Sequence, residues 1–140
     1  MNLDDHLVWI DLEMTGLDLD TQVILEIGSA VTDGRLEIVA QGPAIAVNHP
    51  ESVLADMEEW SREHHQASGL MERVRSSTLT CTEAEQATLD FLSAYCRPGR
   101  SPLCGNSVWQ DRRFLIKYMP RLEAFLHYRN IDVSSVKEIV

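Results

Sequence analysis

Near the start of the chain, His6-Leu7-Val8-Trp9-Ile10 forms an unbroken apolar run that ends on Asp11 and Glu13. Such a run, bounded by charge, reads as a β-strand buried on both faces. Val23, Leu25, Ile27 and Val31 then alternate with other residues up to Asp33-Gly34, and Leu36, Ile38, Ala40 and Val47 follow. Asp-Gly between two such runs predicts a hairpin, because a type I′ turn needs positive φ at both central positions. The first third is therefore expected to be three strands, two of them joined by a tight antiparallel turn.

Farther along, the pattern changes period. The charged block from Glu51 to Ser76 reads as short helices broken at Ser68-Gly69. Thr82-x-x-Glu85 has the form of a capping box, and it predicts a helix with Ala84, Thr88, Phe91 and Tyr95 on its apolar face, ended by Pro98-Gly99. A short strand over Pro102 to Gly105 leads to a second such box, Ser107-x-x-Gln110. The helix it opens runs through Phe114, Leu115 and Tyr118 and must stop near Pro120. One more turn over Leu122 to Phe125, a strand from Tyr128 to Val133, and a helix capped by Ser135-x-x-Glu138 complete the expectation. That last helix has barely a turn before Val140, less than an isolated helix needs to persist. Residues 1–140 are thus read as a single domain, incomplete at its C-terminus.

Composition narrows the function classes. At 140 residues the chain is one domain long, with 44% apolar and 24% charged residues, the balance of a globular fold. No apolar run approaches the roughly 18 residues of a membrane span. Three cysteines, Cys81, Cys96 and Cys104, form no C-x-x-C pair, which argues for a cytoplasmic setting and against a cysteine metal site. A formal net charge of −10 disfavours a basic groove that tracks a long nucleic acid. It leaves open a solvated acidic surface, or acids concentrated where divalent cations sit.

The carboxylates decide between these. Asp11 and Glu13, two residues apart on a strand, share one face and repel unless a proton or a cation intervenes. Asp111 lies in the first turn of its helix, with Phe114, Leu115 and Tyr118 at i+3, i+4 and i+7, so it borders the inward stripe. Alone, Asp111 could simply complement the helix dipole, and the strand acids could be solvated at a sheet edge. The two sites can also meet, because strand ends of an α/β sheet gather ligands. Asp11-x-Glu13-x-Thr15-Gly16 opens like a calcium loop, but position twelve is Gln22 and no helix precedes it.

Trp9-Ile10-Asp11-Leu12-Glu13-Met14-Thr15-Gly16-Leu17 resembles the first motif of the DEDD 3′→5′ exonucleases, in the form found in the oligoribonuclease family. Cys104-Gly105-Asn106-Ser107-x-x-Gln110-Asp111-Arg112-Arg113-Phe114-Leu115 resembles the second. Ala67-Ser68-Gly69-Leu70, Lys117-Tyr118-Met119-Pro120 and His127-Tyr128-Arg129 through Asp132-Val133-Ser134 are similar to that family too. The resemblance implies an RNase H-like α/β fold, a mixed sheet of about five strands (three antiparallel, the others parallel) flanked by helices. It further implies 3′→5′ hydrolysis of very short single-stranded RNA, di- to pentanucleotides, to 5′-mononucleotides, by a homodimer with two Mg²⁺ or Mn²⁺ ions. Asp11 would bridge both ions, and Glu13 and Asp111 would each hold one.

Less sharply, the resemblance makes Leu17 an apolar wedge between the last two bases, Trp60 a packing or stacking neighbour, and His65 a substrate-side histidine. It assigns Ser107, Arg129, Ser134 and Ser135 to the substrate's 5′-phosphate, with Tyr128 and Arg129 offered by a second protomer. Ser107 and Ser135 also read as helix caps. A general-base histidine and a fourth metal-binding aspartate, which the family carries in a third motif, would fall beyond Val140. The chain as written is therefore expected to be very weakly active. Two rival readings stand beside this one: an inactive nucleotide-binding or dimerisation module of the same fold, and a DEDD exonuclease acting on DNA.

Overall fold

The computed structural model describes residues 3–140. A 3₁₀ turn at Leu3–Asp5 leads into β1 (Leu7–Met14), β2 (Ile24–Thr32) and β3 (Ile38–Ala46). Four helices follow: α1 (Glu51–Leu54), α2 (Glu59–Ser68), α3 (Leu70–Ser76) and α4 (Cys81–Ser93). Then come β4 (Leu103–Gly105), α5 (Val108–Tyr118), α6 (Pro120–Phe125), β5 (Asn130–Asp132) and α7 (Val133–Ile139). The strands form one mixed α/β sheet in the order β3-β2-β1-β4-β5. β1–β2 and β2–β3 are antiparallel, and β1–β4 and β4–β5 are parallel. Among the described residues no helix is long and apolar enough to cross a membrane.

β1 is central, yet it is not buried on both faces as its unbroken apolar run predicts. Val8, Ile10 and Leu12 are at 0%, 2% and 5% exposure, whereas Trp9 and Glu13 are half-exposed and Asp11 is exposed. The covered face receives α4, α5 and α6 through Leu89, Leu92, Phe114, Leu115, Met119 and Leu122. On the other face, α1 to α3 supply a smaller cluster around Leu25, Met57, Leu70 and Val74. That cluster lies at the Glu26–Ala46 end, so Trp9 and Asp11 stay open. A bulge makes this possible: Glu13 pairs Glu26 and Met14 pairs Ile24, leaving Leu25 as the extra residue. It turns toward α3 while Ile24 and Ile27 keep the main core.

Several local devices differ from the expectation. The β2–β3 connection is not a two-residue type I′ turn. Asp33 and Glu37 are bonded N–H to O at 3.0 Å, and the positive φ (69°) falls on Leu36 rather than Gly34. The Asp33 side chain stabilises this longer loop, its Oδ1 accepting the N–H of Arg35 at 2.8 Å and of Glu37 at 3.0 Å.

The capping box of α4 is Thr80 with Glu83, two residues earlier than Thr82 with Glu85. Glu85 is instead buried, and its Oε2 accepts the Leu122 N–H at 3.0 Å, satisfying a donor in the first turn of α6. Ser107 does sit at the N-cap of α5, but in the left-handed region and without a side-chain cap. Asp132, not Ser135, caps α7 through the Ser134 N–H. The predicted break at Ser68-Gly69 is present, with Gly69 at φ 79° closing α2. The last strand is shorter than the Tyr128 to Val133 run predicts, because pairing with the short β4 begins only at Asn130.

Candidate active site

Asp11 and Glu13 share the open face of β1, opposite Gly28 and Glu26 of β2. Both carboxyls are held above their usual range, mainly by burial. For Asp11 the Glu26 charge adds to the shift, and for Glu13 the Asp11 charge does. Glu26 is a third acid on this face, compensated by Arg73, whose Nε donates to Oε2 at 3.1 Å. The sequence gives no hint of Glu26, because cross-strand register decides whether it faces Glu13.

Asp111 reaches the same strand end from α5. β4 ends at Gly105, where a Cβ would lie 2.9 Å from Val108 Cγ2 and 3.1 Å from the Ile10 carbonyl. The missing side chain lets the start of α5 approach β1 closely. Asp111, only 7% exposed, accepts the backbone N–H of Leu12. Burial first, then the Asp11 charge, lifts its carboxyl to about 7; the Leu12 bond opposes this, while Glu13 and Asp132 add to it. Three acids on two elements thus lie within one another's fields. Among the described residues they do not stand as a closed ligand set of three or more side chains. Oxygen donors of this kind, each paying for its charge in burial or repulsion, suit a hard divalent cation.

His65, 2% exposed, completes the strand end. Its Nε2 bonds the Met14 carbonyl at 2.7 Å, and Nδ1 has no hydrogen bond and faces Glu13 Oε2 at 3.9 Å. Leu17 is 55% exposed, and its N–H donates to Glu58 Oε2 at 3.4 Å. Thus Leu17, Trp60 and His65 all gather around α2 and the end of β1.

A second group forms where α5 and α7 begin. Asp132 Oδ1 accepts the Ser107 N–H at 2.9 Å and the Ser134 hydroxyl at 2.6 Å. Asp132 also takes the Ser135 N–H, and Ser107 Oγ bonds Ser134 Oγ at 3.4 Å. Asp132, named in the sequence only as part of a motif, is the organiser here, and its carboxyl is held below the usual range chiefly by the Ser134 hydroxyl.

Tyr128 and Arg129 stand apart from the carboxylates. Tyr128 is 74% exposed, stacked on His127 at 4.3 Å between centroids, with the Arg129 guanidinium 5.7 Å from its ring. Arg112, buried and unassigned from sequence, fixes this segment by donating to the carbonyls of His127 at 2.8 Å and Tyr128 at 2.9 Å.

Between the two groups, a trough of about 570 Å³ crosses the open sheet face, lined by Trp9, Asp11, Gly28, Gln41, Cys104 and Asn106. A hollow of about 650 Å³ at the opposite end of β1, beside His6, Arg35 and Pro102, contains none of these site residues.

Known proteins match this arrangement. The RNase T exonuclease family model matches residues 8–140. An oligoribonuclease of Marinobacter nauticus is 59% identical over 139 residues, spanning 99% of this chain and 77% of its own length. One from Dichelobacter nodosus is 59% identical over 140 residues, spanning 100% and 78%. Among solved structures, Mg²⁺- and Mn²⁺-bound Pop2p of S. pombe superposes with TM-score 0.69 at 15% identity, covering 96% of this chain and 66% of that one. E. coli exonuclease I in complex with a dA16 oligonucleotide gives TM-score 0.71 at 11% identity, covering 96% and 29%. These likenesses fix the fold as RNase H-like. With the family model matched from Val8 onward and 59% identity to its relatives, the chain belongs to the RNase T exonucleases, hydrolytic enzymes, in their oligoribonuclease branch.

Proposed function

We propose that this chain is a 3′→5′ exoribonuclease for very short RNA, di- to pentanucleotides, releasing 5′-mononucleotides. The observation that carries the reading is the placement of Asp111, buried in the first turn of α5, within the fields of Asp11 and Glu13 at the end of β1. Asp11, Glu13 and Asp111 would hold two divalent cations, Mg²⁺ or Mn²⁺. Such a pair, when bound, supplies an activated water and stabilises the leaving oxygen. The chain's own acids keep the ions at the strand end, and the burial of Asp111 and half-burial of Glu13 strengthen their pull.

Short substrates suit the charge. A net charge of −10 repels a long polyanion, whereas a dinucleotide brings few phosphates. Leu17 and Trp60 offer apolar surface to the bases, and His65 borders the substrate beside Glu13. Ser107, Ser134 and Ser135 line the place for the 5′-phosphate, with Tyr128 and Arg129 contributed by a second copy in a homodimer. The free thiols suit a cytoplasmic setting.

The test is digestion of end-labelled ribodinucleotide, longer RNA and a deoxydinucleotide, with Mg²⁺ or Mn²⁺ and with chelator. The reading expects metal-dependent release of mononucleotide, fastest from the ribodinucleotide; the ratio among substrates is the readout even when absolute rates are low. Preference for long RNA or for DNA would overturn it. Tight dinucleotide binding with no cleavage under any metal would favour an inactive module of the same fold.

A further inference from the structure

Trp60 and His64 lie one helical turn apart on α2, and their rings stack with centroids 5.0 Å apart and planes 8° apart. Side chains of a helix lean toward its N-terminus, so the residue at i+4 settles over the residue at i. Trp60 is 71% exposed, and among the described residues His64 is the ring stacked on it. A lone surface indole of that exposure samples several rotamers, and fixing it on binding costs affinity. The neighbouring His65 turns inward to the Met14 carbonyl, which anchors this turn of the helix at the end of β1. Glu58, at the N-cap of the same helix, holds the Leu17 N–H. The stacked pair therefore sits on a helical turn pinned at His65, with Trp60 two residues on from the Glu58 that holds the Leu17 N–H.

We infer that His64 is a positioning residue: its imidazole backs one face of the Trp60 indole and so presents the other face as a preset platform for a nucleobase of the bound oligonucleotide. This rests on the reading of the site as an oligonucleotide site. Base–aromatic stacking tolerates any base, since every base has a π-face, so the platform gives affinity without sequence preference.

The test is calorimetric titration with a 5′-phosphorylated ribodinucleotide in the presence of Ca²⁺, paired with ¹⁹F NMR of chain labelled with 5-fluorotryptophan. His64→Ala is expected to weaken binding about two- to tenfold and to shift the Trp60 resonance, assigned with Trp60→Phe. His64→Phe, which keeps a ring over the indole, is expected to restore both. In a Trp60→Ala background, His64→Ala is expected to cost nothing further. Unchanged affinity in His64→Ala would overturn the inference, and so would a loss that persists without Trp60, since His64 would then touch the ligand itself. No dinucleotide binding by the unaltered chain would overturn the reading of the site and the platform with it. That outcome is distinguished from failure of His64 alone because the ¹⁹F shift reports the stack independently.

Discussion

The two faces of β1 divide the labour of one strand. Val8, Ile10 and Leu12 lie under α4 to α6 in a dry core, while one residue along, Trp9 and Asp11 line an open trough and Glu13 shares their face. A two-residue period places a stabilising side chain and a chemical one alternately within the same backbone. The covered face can therefore be rigid without the open face contributing to stability. Burial and mutual repulsion penalise the charged forms of Asp11, Glu13 and the buried Asp111, so these acids do not add to the stability of the fold.

Substitutions on opposite faces separate the two roles. Asp11→Ala is expected to abolish metal-dependent hydrolysis while leaving the melting temperature in metal-free buffer unchanged or raised; a marked fall in melting temperature would make Asp11 structural and break the comparison. Phe114→Ala, on the fully buried side at 0% exposure, is expected to cost about 3–5 kcal/mol in urea denaturation. A cost below about 1 kcal/mol would mean that the core reorganises freely around α5.

Asp111 lies at the junction of the two faces, and its pH dependence sharpens the contrast. Its carboxyl titrates near 7 in the fold against 3.8 ordinarily, so between about pH 4 and 7 the folded chain holds a proton that the unfolded chain has released. Stability from this group is complete below pH 4, falls as pH rises through that window, and levels off above 7. Asp111→Asn is expected to flatten that slope and to gain about 0.5–2 kcal/mol at pH 8, measured by denaturation with chelator present. Adding Mn²⁺ at about a hundredfold excess over its Kd should return about 2.7 kcal/mol to the unaltered chain and little to the variant. The smallest effect belongs to a site far from the trough. Thr80→Ala removes the capping box of α4 and is expected to cost about 1 kcal/mol, with substrate cleavage per folded molecule unchanged.

What could be read from the sequence follows the range of the interactions involved. The first strand, the break at Gly69 and the helix stopping before Pro120 rest on nearest-neighbour chemistry and are present, although β1 runs past the apolar His6–Ile10 stretch to Met14. That Asp11 and Glu13 share one face of β1 and that Asp111 turns inward beside them was legible because strand alternation and a helical stripe fix which way each one points. Glu26, Arg112 and Asp132 were not. Glu26 needs the β1–β2 register, Arg112 needs the fold-back of His127 and Tyr128, and Asp132 gains its role only when two helix starts converge. The choice between Thr80 and Thr82 as cap was likewise tertiary, because Glu85 is drawn off to the Leu122 N–H. The covered-on-both-sides reading of β1 failed because a run of apolar residues records the hydrophobicity of each face, not whether a helix lies over it.

Gly105 gives the open face a mechanical tolerance. A single methyl there would meet the Ile10 carbonyl at 3.1 Å and the Val108 side chain at 2.9 Å, so α5 would have to back away by a few tenths of an ångström. Asp111 rides on that helix, and its grip on the Leu12 amide would loosen with it. The bite of the acidic jaw is thus gauged by an atom that is not there, at a residue that itself binds nothing.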